Sequence, residues 1–188
     1  YNGWNSMYEN NHSKSLGGQL KIVGGELFAI TANYLGGPEK NQDDVHRRQV
    51  YEANLVLNLP NNMSFQTDWL NGNEEYILDS ATGERRTAYW TSNTFALKWM
   101  PISWFSLTPR YEIYDDIDGY TLGGYGNIGF GQTLASWTVT SAFLLADSTE
   151  LRLEWRQDQS SKSDRFTKST YETTNEQTTY TAALLSSF

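Results

Sequence analysis

The sequence predicts an all-β chain, an antiparallel up-and-down transmembrane β-barrel with about ten strands, on three observations. Apolar residues recur at every second position through nine segments, which is the period of a strand with one apolar face. Aromatic rings are abundant, with 7 Trp, 12 Tyr and 8 Phe, yet hydrophobic residues total only 38%, an undersupply of Leu, Ile and Val for a core that would hide those rings. The connections between segments alternate short and long, as they do between the two ends of an outer-membrane barrel. A helical membrane protein is excluded, because no run approaches the ~20 apolar residues that a spanning helix needs.

Taken in order, residues 16–23 set Leu16, Gly18, Leu20 and Ile22 against Gly17, Gln19, Lys21 and Val23. Residues 27–35 oppose Phe28, Ile30, Ala32 and Tyr34 to Ala29, Thr31 and Asn33, and residues 50–59 oppose Tyr51, Ala53, Leu55, Leu57 and Leu59 to Glu52, Asn54 and Asn58. Phe65, Thr67 and Trp69 alternate with Gln66 and Asp68. Across 89–99 the series Tyr89, Thr91, Asn93, Phe95, Leu97, Trp99 is apolar except for Thr91 and Asn93. In residues 105–113, Phe105, Leu107, Pro109, Tyr111 and Ile113 share a face, and Pro109 fits a strand only where its missing N–H meets a bulge or an unpaired site. Residues 135–145 place Trp137, Val139 and Phe143 opposite Ser136, Thr138 and Thr140. The strongest alternation lies at 151–158, where Leu151, Leu153 and Trp155 oppose Arg152, Glu154, Arg156 and Asp158. Such a strand cannot be buried on both sides, although half-buried sheets of soluble proteins alternate in the same way. Residues 178–188 close the series, and a partial segment at 1–7 brings the total to about ten.

Loop length separates the two ends. Residues 24–26, 60–63, 100–104 and 146–150 are short, while 36–49, 72–87, 115–132 and 159–177 are long and polar. Short turns are expected on the periplasmic side and long loops outside. From Tyr180 to Phe188 the last strand rises about 20 Å along the membrane normal at a tilt of ~40°. Trp99, Tyr180 and Phe188 are therefore expected in the aromatic belts at the membrane interfaces.

The whole chain, 1–188, reads as one domain. With 22 acidic and 14 basic residues and a formal charge of -8, nucleic acid is not an expected partner. There is no cysteine for a disulfide or thiolate site. The ten charges expected to point inward are Lys21, Glu52, Asp68, Lys98, Arg110, Glu112, Arg152, Glu154, Arg156 and Asp158. They line water if the barrel is wide and pair across strands if it is narrow. Five are basic and five acidic, so weak ion selectivity is expected, with Arg152, Arg156, Arg110 and Glu112 the best pore candidates.

Other motifs carry less. Asp43, Asp44 and His46 resemble an acid/base cluster, but "PEKNQDDVHRR" reads better as a charged loop tip, and His12 also falls in a loop. The acidic groups Asp43/Asp44, Glu74/Glu75 and Asp115/Asp116 with Asp118 offer oxygen ligands without the spacing of a dedicated calcium loop. "GGYGNIGFG", 123–131, lacks the helix and the Lys-Ser/Thr pair of a phosphate loop and reads as a flexible external loop. Trp99, Trp104, Trp137 and Trp155 fit a lipid-interface belt better than a sugar platform. No catalytic residue, metal or cofactor is expected.

"NGWN", "NNHSKSLGGQL", "DGYTLGG", "LRLEWRQDQSSKSDRF" and the terminal strand ending in Phe188 resemble the OmpL-like β-barrel porin family of the bacterial outer membrane. The terminal Phe is similar to the signal read by the outer-membrane assembly machinery. Family members are generally longer, with more strands upstream, so the resemblance implies that this chain is the C-terminal part of a larger barrel. It also implies an integral outer-membrane channel for passive diffusion of small hydrophilic solutes or ions. Its expected partners are outer-membrane lipid, the assembly machinery during biogenesis and a second copy in a homo-oligomer. Two alternatives are a narrow plugged barrel that acts structurally or through its external loops, and a soluble ligand-binding barrel.

Overall fold

The structure, a computed structural model, describes residues 11–123, 127–169 and 172–186. Every regular element among them is a strand: β1 (Leu16–Gly24), β2 (Phe28–Pro38), β3 (Arg47–Leu59), β4 (Met63–Asp79), β5 (Arg85–Ile102), β6 (Phe105–Asp116), β7 (Asn127–Ile128), β8 (Gln132–Ala146), β9 (Thr149–Ser160), β10 (Phe166–Ser169), β11 (Glu172–Thr174) and β12 (Glu176–Ser186). Nine of them form one antiparallel sheet in strict chain order, β1-β2-β3-β4-β5-β6-β8-β9-β12. β7 pairs in parallel with the end of β4, and β10 and β11 form a separate hairpin. This is the up-and-down arrangement the alternation predicts. Among the described residues β1 and β12 do not pair with each other, and the partial segment at 1–7 lies outside the described residues.

Register makes the faces continuous. One row runs Lys21, Thr31, Asn54, Asp68, Thr94, Glu112, Ser136, Asp158 and Gln177, a polar side chain from each of the nine strands. The next row, one residue away, runs Ile22, Ile30, Leu55, Thr67, Phe95, Tyr111, Trp137, Gln157 and Thr178. A slip of one residue in any ladder would exchange the faces of that strand, so the match across all eight ladders defines a charged face and an apolar face.

The apolar face is not a core. Leu153 is 44% and Trp155 36% exposed, and Leu20, Ile22, Trp69, Phe95, Trp99, Trp137 and Leu184 are exposed with them. Aromatic contacts on this face lie at two levels. Trp104, Phe105 and Phe143 meet near the short turns, while Tyr111 packs on Trp137 at 4.7 Å and Tyr34 on Tyr51 at 5.1 Å further towards the long loops. A soluble barrel would turn these groups inwards, whereas an exposed apolar surface of this extent marks a membrane or partner contact.

Four short turns, residues 25–27, 60–62, 103–104 and 147–148, lie at one end, and the longer connections lie at the other. In the second turn Asn61 and Asn62 adopt φ of 62° and 56°, the left-handed pair that a tight hairpin needs and that Asn tolerates. Pro109 meets its condition, since the β5–β6 ladder passes from Ala96–Arg110 to Trp99–Leu107 with no pair at Leu97 or Lys98. One expectation is corrected in detail. Residues 72–87, read as a long loop, are mostly strand, because β4 runs to Asp79, β5 starts at Arg85, and only 80–84 turn. The strands outrun their apolar stretch, and a bulge between Glu74 and Ile77, with Tyr76 at φ 59°, breaks the period there.

Candidate functional site

Lys21, Glu52, Asp68, Lys98, Arg110, Glu112, Arg152, Glu154, Arg156 and Asp158 all fall on the charged face. The structure places six of them on β6 and β9, either side of β8. Arg156 donates from Nη1 to Glu112 at 2.6 Å, from Nε to Asp158 at 2.8 Å and from Nη2 to Ser136 at 2.9 Å. Arg110 Nε lies 3.2 Å from Glu112 as an ion pair, without the alignment of a hydrogen bond. Thr140 donates to Glu154 at 2.8 Å, and Arg152 pairs with Glu150. Antiparallel pairing spaces these groups two residues apart on neighbouring strands, close enough for long side chains to cross.

The second group is acidic. Glu52 accepts from Asn33 at 3.2 Å, Asn33 accepts from Gln19 at 2.8 Å, and Asp68 accepts from Asn54 at 3.5 Å. Its acceptors are thus met by amides, while the β6–β9 group is met by guanidinium. Between the two, Lys98 is exposed. Lys98, Arg110, Thr140, Arg152, Glu154 and Thr181 share a recess of about 370 Å³. Residues of β5, β6, β8, β9 and β12 line this recess on the charged face. Chemically the arrangement presents fixed charges of both signs on one face of the sheet.

At the long-loop end the same face is buried. Tyr120 packs with Val50, Ile77, Ala88 and Trp90, its ring 5.9 Å from the Trp90 ring. Gly72 lies opposite Trp90, and a Cβ there would fall 2.1 Å from the indole, so this glycine is the seat of the ring. Arg48 pairs with Glu74, which is 0% exposed, and donates to the Tyr120 hydroxyl at 3.1 Å. The segment after β6 is anchored twice. Asp116 accepts from the N–H groups of Tyr120, Thr121 and Leu122 and from the Thr121 hydroxyl. Asp118 accepts from the Tyr89 N–H at 2.7 Å and pairs with Arg86 at 2.6 Å, and Arg86 also holds Asp79. Gly119, at φ 70°, passes so close to the Phe130 backbone that a Cβ would sit 2.5 Å from it.

Sequence reasoning missed this cluster. A large Trp90 in the polar series of its strand was the available signal, since a ring on a water-side face needs a cover. Within 115–132, read as long and polar, the same anchors hold residues 116–122 against β5 and β6.

The loop candidates have structural employment. Asp43 accepts from the backbone N–H of Val45 and His46 and from the His46 ring at 2.9 Å, and pairs with Lys40 at 3.2 Å. The His46 backbone N–H above all holds its carboxyl well below the usual carboxylate range; burial opposes this, and the Val45 N–H, His46 ring and Lys40 reinforce it. Asp44 accepts from the His12 N–H at 2.6 Å instead, and the His46 ring stacks on Tyr76 at 4.1 Å. Asp115 accepts from the Thr133 hydroxyl. In "GGYGNIGFG", Asn127 and Ile128 form β7, while 124–126 lie outside the described residues. Of the belt candidates, Trp99 and Tyr180 are exposed on the apolar face, and Phe188 lies outside the described residues.

The full chain, residues 1–188, matches the family model described as putative beta-barrel porin-2, OmpL-like. The chain belongs to that family. No curated protein matches it.

Proposed function

We propose that this chain forms the wall of an integral outer-membrane channel through which small hydrophilic solutes or ions diffuse passively, without catalysis. One observation carries the reading. Nine strands hold their charges and hydroxyls on one face and leave their large apolar side chains exposed on the other. Lipid is the medium that such an apolar surface fits, and water the medium for the opposite face. The charged residues named above would then line the lumen, with guanidinium-rich and carboxylate-rich sectors on different strands. Membership of a porin family agrees with this role.

Purified protein reconstituted in planar bilayers tests it. Discrete conductance steps, with swelling of liposomes in small sugars, are the expected result. A second reading, a narrow plugged barrel that works through its external loops, draws on the buried cluster at the long-loop end. Protein that inserts and resists protease yet gives no steps would select that reading.

A further inference from the structure

Resting on the channel reading, we infer that the recess lined by β5, β6, β8, β9 and β12 is a subsite in the lumen wall for short zwitterionic peptides, with Glu154 taking the ammonium and Lys98 the carboxylate. Charge balance is the first argument. Of the charges that line the recess, Arg110 is matched by Glu112 and Arg152 by Glu150. Two are left open. Among the described residues Lys98 is exposed and makes no ion pair, and Glu154 accepts from the Thr140 hydroxyl but meets no cation. One open cation and one open carboxylate on the same hollow fit a solute that carries both signs. A simple anion or a simple cation satisfies only half of it.

Shape is the second. Two adjoining rows of the sheet floor the recess with short side chains, Thr108, Thr140 and Thr181 beside Glu154, and Ser106, Ala142 and Ala183 beside Arg152. They leave a hollow of about 370 Å³, at the lower end of small-molecule sites, and their hydroxyls can meet peptide N–H and C=O groups. Pro109 sets the lysine in place. Because it cannot donate to β5, the ladder skips Leu97 and Lys98, and the lysine stands at that break, level with Thr108. Spacing is the third. From Lys98 to Glu154 the wall crosses β5, β6, β8 and β9, about 14 Å of backbone at the usual distance between strands. Both side chains line the recess and close part of this, and an extended peptide of two or three residues, about 7–11 Å long, covers the rest. A free amino acid holds its two charges too close together to reach both.

The test uses the full chain in liposomes and in detergent, with trialanine as the probe beside its N-acetylated, C-amidated and doubly capped forms. Protein-dependent uptake of trialanine is expected to exceed that of the doubly capped form roughly fivefold, the effect of two part-hydrated ion pairs together. Each singly capped form should fall between. Lys98→Met and Glu154→Gln should each lower trialanine to the singly capped level, and the exchange of Lys98→Glu with Glu154→Lys should recover the preference, which a structural role for either residue would not predict. Equal uptake of trialanine and its doubly capped form by the wild type would overturn the subsite. So would a preference unchanged in both single variants, each shown by protease resistance to be folded. Saturation-transfer NMR of trialanine on the protein in detergent separates this inference from the channel reading. Binding that Lys98→Met removes, in a protein without conductance steps, would keep the subsite and remove the channel, and steps without such binding would do the reverse.

Discussion

The charged face behaves differently at its two ends. Towards the long loops it carries the chain's buried apolar cluster and a fully buried carboxylate, Glu74, paired with Arg48. In its middle band, on β3, β5 and β6 and with the same alternation, Glu52, Thr94, Arg110 and Glu112 stay half-buried and Lys98 is exposed. The strands do not account for the difference, since β3, β5 and β6 serve both ends. Cover does: where residues 117–122 cross the face, carboxylates such as Glu74 and Asp116 lose all exposure and become costly to disturb, and where they do not cross, the ion pairs stay part-exposed and cost less.

That contrast predicts a gradient of mutational effects. Arg48→Met should be the most damaging, because it leaves Glu74 buried without its cation; a loss of about 3–5 kcal/mol is expected in urea unfolding in lipid vesicles followed by Trp emission. Arg152→Met, in the open band, should cost less than about 1 kcal/mol in the same measurement. Equal losses would break the comparison.

Next in size is a substitution on the apolar face. Leu153→Arg should destabilise by about 2–4 kcal/mol in vesicles, the cost of a cation in mid-bilayer. On the opposite face of the adjoining strand, Thr140→Arg, which faces Glu154, should cost much less. A reversed pair of results would mean that the apolar face meets protein and not lipid.

Smaller still in stability is Glu112→Gln, expected to cost under about 1 kcal/mol. Its signature is electrical: with one of its two carboxylate partners gone and only Asp158 left, Arg156 should move the reversal potential in a potassium chloride gradient towards anion preference.

The smallest effect concerns the turn at 39–46. Asp43 has a folded-state pKa depressed below its unfolded value, so its contribution is complete above the ordinary carboxylate range near 4 and is lost as pH falls towards the lowered value. Hydrogen-exchange protection in this turn, measured against the intrinsic rate at each pH, should therefore be flat from pH 7 to pH 5 and fall only in stronger acid, and Asp43→Asn should abolish that pH dependence. A loss of protection already at pH 6 would contradict the assignment.

The faces were legible in the sequence because a strand has period two and each ladder must agree with the next. Leu153 and Arg152 declare opposite sides without any knowledge of their neighbours. Pro109 was legible for a similar reason, since a residue without an N–H can be accommodated only at a break in pairing. The cluster at the mouth was not. Arg48 and Tyr120 are 72 positions apart, and local pattern holds no record of such a contact. The upper parts of β4 and β5 escaped notice because the bulge at Glu74–Ile77 breaks the period on which the reading depended. What Trp90 did announce, a ring among Ser and Thr, needed a cover that only the folded chain identifies.

The outermost ladders have a consequence of their own. β1 and β12 are each bonded on one side only among the described residues, so their lateral amides and carbonyls point into whatever surrounds the sheet. In hydrocarbon each such group would forfeit several kcal/mol, which makes these two margins adhesive: inserted in lipid, they must zip to one another or to further strands. At Gly17 and Gly18 of β1, where two adjacent residues offer no side chain to dictate alignment, the seam must take its register from its mate and from the bulky residues 19–23 that follow.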